Sequence, residues 1–493
     1  MLQQLRRLAI GMLALAPALG AQVPRAAVSG KEMVARFLDA NAARYSEIAQ
    51  TIWDHAEVGY QEEQSSALLQ QTLREAGFSV EAGVAGIPTA FVATFTTGPG
   101  PVLGVLAEFD ALPGITQGRS AERQPIADKP AGHACGHHLF GAASTGAAIA
   151  VKEWMLRTQQ RGTIRVYGTP AEEGGAGKVY MVRDGLFKDV DVVLHWHPGD
   201  RNSADATTSL ANKSAKFRFR GVSAHAAAAP DRGRSALDGV EAMNHMVNLM
   251  REHVPSEARI HYVITSGGSA PNVVPDFAEV FYYVRHPDPR VVQEMFDRIV
   301  KASEGAAMGT GTSVEHEVIH GIYNLLPNVA LQRAMHANLV AIGGQAYTES
   351  ERAFAEIIRG SFGADAPPLA LASSVQPFRI VEGNPGGGST DVADVSWVVP
   401  TVGMRAATWV PGTSSHSWQA IAAGGMSIGN KGMVIAAKSL ASTMVDLFTR
   451  PELITAAKAE YRERVGPNFT YRSLVGDRPP PLDYRKTAGP GDR

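Results

Sequence analysis

Cys135 and His137 stand two positions apart in Gly132-His133-Ala134-Cys135-Gly136-His137-His138, a stretch that holds the only cysteine of the chain. A thiolate and an imidazole at that spacing, on a glycine-containing turn, can both reach one metal centre. The soft anionic sulfur and the neutral nitrogen suit zinc and other first-row divalent ions. A small buried hydrophobe beside surface histidines would account for the same residues, so the rest of the chain has to decide. Two further stretches weigh in. Glu172 and Glu173 are adjacent in the glycine-rich run Gly168–Gly177; neighbouring side chains there cannot share one direction, which makes them available for two jobs. Glu108 and Asp110 end an apolar run, where open α/β sheets place their ligands.

The elements that must position these groups alternate. Residues 30–57 and 63–77 have helical periodicity, and strands are expected at Ala90–Thr96, Val102–Leu106, Thr163–Tyr167 and Val190–Leu194. A small-residue helix is expected over Gly141–Trp154. Polar clusters at the strand ends, including His195-Trp196-His197-Pro198, fit a mainly parallel sheet. From about residue 212 the pattern changes. Strands at Lys213–Arg220, Arg259–Thr265, Phe277–Val284 and Ser313–Ile319 interleave with helices at 233–252 and 289–307. That order, β-α-β-β-α-β, is ferredoxin-like. The expected organisation is therefore α/β: a first part over 28–210, an inserted domain over 211–322, and a second part over 323–450 ending in a helix at Lys431–Phe448. Residues 451–493 read as a polar, proline-containing tail without assigned function.

At 493 residues the chain exceeds one ordinary core. A formal net charge of −2 gives no reason to expect nucleic acid or an anionic membrane as partner. Arg6-Arg7, the apolar run Leu8–Leu19 and small residues up to Ala21 read as a signal peptide over 1–21. The run is too short to span a bilayer, so export to the periplasm or medium, with no membrane span after cleavage, is expected. A single cysteine forms no internal disulfide, and a thiol in an oxidising compartment is readily explained when metal holds it.

Asp110-Ala111-Leu112-Pro113, the Gly132–His137 stretch, Pro170-Ala171-Glu172-Glu173-Gly174-Gly175, Gly221–Ala226, Pro271–Pro275 and Ser414-Ser415-His416 follow one another in order. Together they resemble the metallopeptidase family of aminoacylases, carboxypeptidases and auxin-conjugate hydrolases, in its amidohydrolase branch. Gly388–Ser396 and His197-Pro198 make the chain most similar to the subgroup of aminobenzoyl-glutamate hydrolase B subunits and related dipeptidases.

The resemblance implies a dinuclear-metal peptidase domain with two divalent ions per subunit, zinc or manganese, and an inserted ferredoxin-like domain acting as lid and homodimer interface. It implies Cys135, His137, Glu173 and His416 as ligands and Glu172 as catalytic base. The remaining ligand is His197, from its His-Pro, or alternatively His195, from its spacing to the proline in auxin-conjugate hydrolases. It further implies that His225 of the partner subunit donates to the oxyanion. Two positions depart from the family pattern: His138 puts an extra imidazole beside the metals, and Glu108 replaces a histidine that binds metal in distant branches. Glu108 is not expected to ligate, because Cys135 takes that role.

These groups suit metal-assisted hydrolysis of an N-acyl amino acid or an aminobenzoyl-glutamate-like amide. A metal-bound water attacks, and Glu172 moves its proton to the leaving amine. Asn272 and Arg285 are candidates for binding substrate, Arg285 by clamping its carboxylate, and Asp391 for placing a substrate amine or a ligand. Asp110 is expected to orient a ligand histidine. His55 and His261 are read as structural. The rival readings are a metallo-dipeptidase or aminopeptidase of the same family, a catalytically inactive exported binding protein, and, weakest, an esterase or phosphohydrolase.

Overall fold

The computed structural model describes residues 28–383 and 388–485; the expected signal peptide lies outside them. Its central sheet has six strands in the order Ser79–Ala82, Phe91–Gly98, Gly162–Gly168, Val102–Ala107, Val192–Leu194 and Thr401–Val402. The first two pairings are antiparallel and the other three parallel. Leu103, Val105, Ile164, Val166 and Val192 to Leu194 are all inaccessible to solvent. Strands buried on both faces carry such near-continuous apolar runs, with helices covering them.

The helix His137–Thr158 packs on this sheet and against the helices Gly30–Ala40, Ala42–His55 and Ser427–Thr449. Three boundaries differ from the sequence pattern. The small-residue helix begins at His137 rather than Gly141, so two histidines occupy its first turn. Residues 30–57 form two helices, broken at Asn41 and closed at Ala56 in the left-handed region. The segment after residue 450 opens with a helix, Pro451–Val465, whose proline sits at the N-terminal position that tolerates it. Ser427–Thr449 is long and apolar enough to cross a membrane, but it is largely buried within the protein.

Residues Ala211–Ile322 build a second, wholly antiparallel sheet, ordered Arg259–Ser266, Phe277–His286, Ala211–Arg220, Ser313–Ile322. Ala215, Phe217 and Phe219 alternate onto one face and meet the helices Ala236–Met250 and Pro289–Thr310 in a core of their own. Ser235 and Asp288 cap these helices through their side chains.

Candidate active site

The donor groups meet at the carboxyl ends of the parallel strands. Asp110 follows the strand Val102–Ala107, and one of its oxygens accepts from His137 Nδ1 at 2.8 Å. Its other oxygen accepts the backbone N–H of Glu173 at 2.9 Å. One carboxylate thus fixes both a histidine ring and the loop of the two glutamates, and turns His137 Nε2 away from Asp110, towards the other donors. The bond to His137 and the Glu173 amide outweigh burial and hold Asp110 below the usual carboxylate range.

Cys135 Sγ lies 3.4 Å from His197 Nε2, and Glu173 Oε1 lies 3.1 Å from His416 Nε2. Potential ligand atoms fall into three overlapping groups, each within 4.8 Å: Cys135, His137 and His197; Cys135, Glu173 and His416; His137, Glu172 and Glu173. Gly136 makes the convergence possible. Its φ is +80°, and a Cβ there would come within 2.7 Å of Pro198 beside His197. His416 itself has φ +60°, a strained conformation for a residue with a side chain, at the point where its ring faces Glu173.

The shared ligands suit two cations. His137 Nε2 and Glu173 Oε1 are buried, and their near polar neighbours are Glu108 and His416, each 3.1 Å away, so a cation could take both atoms as ligands. Carboxylates also outnumber cations. Glu172 is pushed well above the usual range by burial and then by Glu173, Glu108 and Asp391. Among the described residues, Lys178 is the one lysine buried beside them, at 2.8 Å from Glu108 and 2.6 Å from Asp391. Divalent cations would balance this excess.

The remaining residues separate clearly. His197 belongs to the donor cluster, whereas His195 belongs to none of its groups. The His195 ring lies across Gly403, where a Cβ would approach Nε2 to 2.1 Å, and burial, followed by Lys178 and Arg405, pushes its pKa down to about 3. His138 differs from the expected extra imidazole beside the metals. One residue further along a helix turns the side chain by about 100°, and its Nε2 instead meets the Gly424 carbonyl at 3.0 Å. Burial holds it neutral, with a pKa of about 3. Glu108 approaches His137 Nε2 at 3.1 Å but faces Lys178 and joins no donor group. Asp391 does not open onto the cleft as a substrate group would: its two oxygens accept from the Lys178 ammonium and backbone N–H.

His225 and Asn272 come together on the antiparallel unit, where the Ala226 N–H donates to the Asn272 carbonyl at 3.0 Å and His225 bridges to Val273. Both are exposed, and neither lines the metal-ligand cavity of its own chain. Arg285 lies on the same unit, with its guanidinium over the Tyr283 ring, and is likewise absent from that cavity wall.

The cavity, about 670 Å³, runs from Cys135, Glu172, Glu173 and His416 past His197 to Arg405, Arg201 and Arg379. Lys178 and Arg405 carry no signal that sequence reasoning could use. A lone lysine or arginine has no diagnostic spacing, and their partners lie far away in sequence.

A donor set for two cations, beside a glutamate free to move protons, defines a metal-dependent hydrolase of amide bonds. The chain belongs to the peptidase family M20/M25/M40, whose profile matches residues 104–419. It is 41% identical over 458 residues to the B subunit of p-aminobenzoyl-glutamate hydrolase from Escherichia coli strain K12, covering 87% of this chain and 95% of that protein. It is 28% identical over 446 residues to the Xaa-Arg dipeptidase of Homo sapiens, covering 87% and 91%. The fold matches the crystal structure of an aminobenzoyl-glutamate utilization protein from Klebsiella pneumoniae, with TM-score 0.61, 19% identity and coverage of 84% and 98%. It also matches a Bacillus subtilis protein described as a dinuclear metal binding peptidase from the M20 family, with TM-score 0.55, 18% identity and coverage of 83% and 99%.

Proposed function

We propose that the protein hydrolyses the amide bond of an N-acyl amino acid or a p-aminobenzoyl-glutamate-like compound, as an exported homodimer with zinc or manganese at the site. The observation that carries this reading is the convergence of Cys135, His137, Glu173, His197 and His416 around Glu172. When bound, the cations polarise the amide carbonyl and acidify a water. Glu172 accepts the water's proton and passes it to the departing nitrogen. Thiolate with imidazole favours zinc.

The cavity wall favours an acyl amino acid over a peptide with a free amino group. Asp200 and Asp205 are already paired with Arg201 at 3.2 Å and Arg379 at 2.9 Å. Arg405, opposite His197 in the parallel pair Arg405–Ala407 with His197–Gly199, has no ion-pair partner among the described residues. A guanidinium left open in this wall receives a carboxylate. The antiparallel unit serves as lid and dimer interface: its edge strand and neighbouring helix expose Tyr262, Val263, Ile264, Met246 and Leu249, an apolar edge that a second copy would cover.

The test is turnover by the zinc- or manganese-loaded protein of N-acyl amino acids, p-aminobenzoyl-glutamate and simple dipeptides. The acyl compounds are expected to be cleaved and the dipeptides to be poor substrates. No amide turnover with both metals bound would refute the reading. Arg405→Ala is expected to raise KM roughly ten-fold or more for the carboxylate-bearing substrate and to leave its carboxamide analogue unaffected. An equal effect on both compounds would remove Arg405 from substrate recognition.

A further inference from the structure

The chain after Pro451–Val465 runs from Trp397 past the antiparallel unit to the metal-ligand loop. Phe469 packs on Trp397, with ring centroids 4.8 Å apart, and the Tyr471 hydroxyl donates to buried Asp394 at 2.6 Å. Leu474 is buried over Gly321 in the last strand of the unit. The Arg478 guanidinium donates to the carbonyls of Val318 and Ile319 and pairs with Glu317 at 3.2 Å. Arg183 holds the other side of this turn through the carbonyls of Gly476, at 3.2 Å, and Arg478, at 2.7 Å.

The segment then crosses to the site. Gln61 donates to the Leu482 carbonyl at 2.8 Å, and the Tyr484 ring sets edge-on to Tyr60 at 5.6 Å. The last two described residues reach one atom: the Glu173 carbonyl oxygen accepts from the Tyr484 hydroxyl at 3.1 Å and from Arg485 Nη2 at 2.6 Å. The same residue donates its N–H to Asp110. Both ends of the Glu173 backbone are therefore gripped.

The grip falls where the backbone stores strain. Ala171 and Ala176, on either side of the glutamates, have φ of +59° and +57°. Residues with side chains keep such angles only where their surroundings enforce them. Tyr60 binds the Gly175 carbonyl at 2.7 Å and Glu62 binds the Ala171 N–H at 2.8 Å. Among the described side chains, Asp110, Tyr484 and Arg485 are the ones that hold the Glu173 backbone itself.

We infer that residues 466–485 form a strap whose Tyr484 and Arg485 are positioning residues for Glu173, holding its carboxylate in the ligating direction and, through the adjacent peptide, holding Glu172. The strap is tied by Arg478 to the strand Ser313–Ile322, so the antiparallel unit and the ligand loop share one tether. This inference rests on Glu173 being a metal ligand, as proposed above.

The experiment uses full-length, zinc-loaded protein and follows zinc release to a fluorescent chelator alongside kcat and KM. In the Tyr484→Phe/Arg485→Gln double variant, zinc release accelerates on the order of ten-fold, the size of effect that outer-shell partners exert on metal affinity. Its kcat falls by a similar factor while KM stays within about two-fold. Arg485→Lys, which keeps a charged donor, recovers part of the loss, and Arg478→Ala shifts zinc release in the same direction by a smaller factor. Unchanged release and unchanged kcat in the double variant overturn the strap. If that variant is recovered unfolded, Tyr484→Phe, which removes one hydroxyl, decides alone: several-fold faster release supports the inference and parental release overturns it. Glu173→Gln separates the two levels. Zinc held by that variant as tightly as by the parent would remove Glu173 from the ligands, whereas zinc lost there but kept in the strap variants would remove only the strap.

Discussion

Glu172→Gln lowers kcat by roughly three orders of magnitude or more, while the protein keeps both metal ions. Glutamine preserves the shape and burial of the side chain but can neither take a proton from water nor return one to the leaving amine. Adjacent Glu173 cannot stand in for it. Its Oε1 faces His416, its N–H is held by Asp110, and a side chain so fixed cannot turn into the space of its neighbour. The geometry makes the comparison demanding, because Glu172 as well as Glu173 offers an oxygen close enough to share a metal ion with His137. The decisive measurement is metal content by elemental analysis beside single-turnover kinetics for Glu172→Gln and Glu173→Gln. The expected result is metal retained and turnover lost in the first, and metal affinity lost in the second. Metal loss in Glu172→Gln would make Glu172 a ligand, and turnover within ten-fold of the parent would take proton transfer away from it.

The parts of this site that are legible in the sequence are those with short-range causes. Cys135 and His137 share a turn, Glu172 and Glu173 share a loop, and both stretches follow apolar strands, so convergence at the sheet's carboxyl edge can be read from order and spacing. His138 misleads because the helix begins four residues before its periodicity becomes visible, and the rotation that sends it to Gly424 depends on that start. The two histidines of His195-Trp196-His197 cannot be told apart locally. His197 opens a separate short strand paired with Arg405–Ala407, and it is this long-range pairing that turns it towards Cys135. Lys178 and Asp391 are 213 positions apart, and Tyr484 and Glu173 are 311 apart. Such partners leave no periodic trace; a buried lysine and a C-terminal tyrosine acquire meaning only when the chain is folded. The tail reads as polar and proline-containing, although Pro451 and the run behind it, rich in alanine and glutamate, are a helix start and body.

Mixing His225→Ala with Glu172→Gln restores activity that neither variant has alone. The prediction follows from where His225 lies. It is exposed on the antiparallel unit and absent from the cavity wall of its own chain, yet its ring is prepared to donate. Nδ1 accepts the backbone N–H groups of Ala227 at 3.2 Å and Ala228 at 3.1 Å, which leaves the proton of the neutral ring on Nε2. A fixed donor of this kind stabilises charge that develops on the carbonyl oxygen in the transition state, an effect commonly worth about 10²- to 10³-fold in kcat. In the proposed two-fold dimer, each site would combine its own Glu172 with the partner subunit's His225. A mixed dimer then has one site with both groups and one with neither. Random exchange of equal amounts makes half the dimers mixed, so recovery approaches about a quarter of the parental rate. The exchange is done by dissociation and reassociation at low concentration, and the activity is read against the unmixed variants under the same treatment. If His225 acted within its own chain, mixing would restore nothing, since every site would lack either the base or the donor. If it had no catalytic role, His225→Ala alone would keep parental kcat. Recovery towards a quarter, from two proteins each nearly inactive, is the outcome expected only of a site completed across the interface.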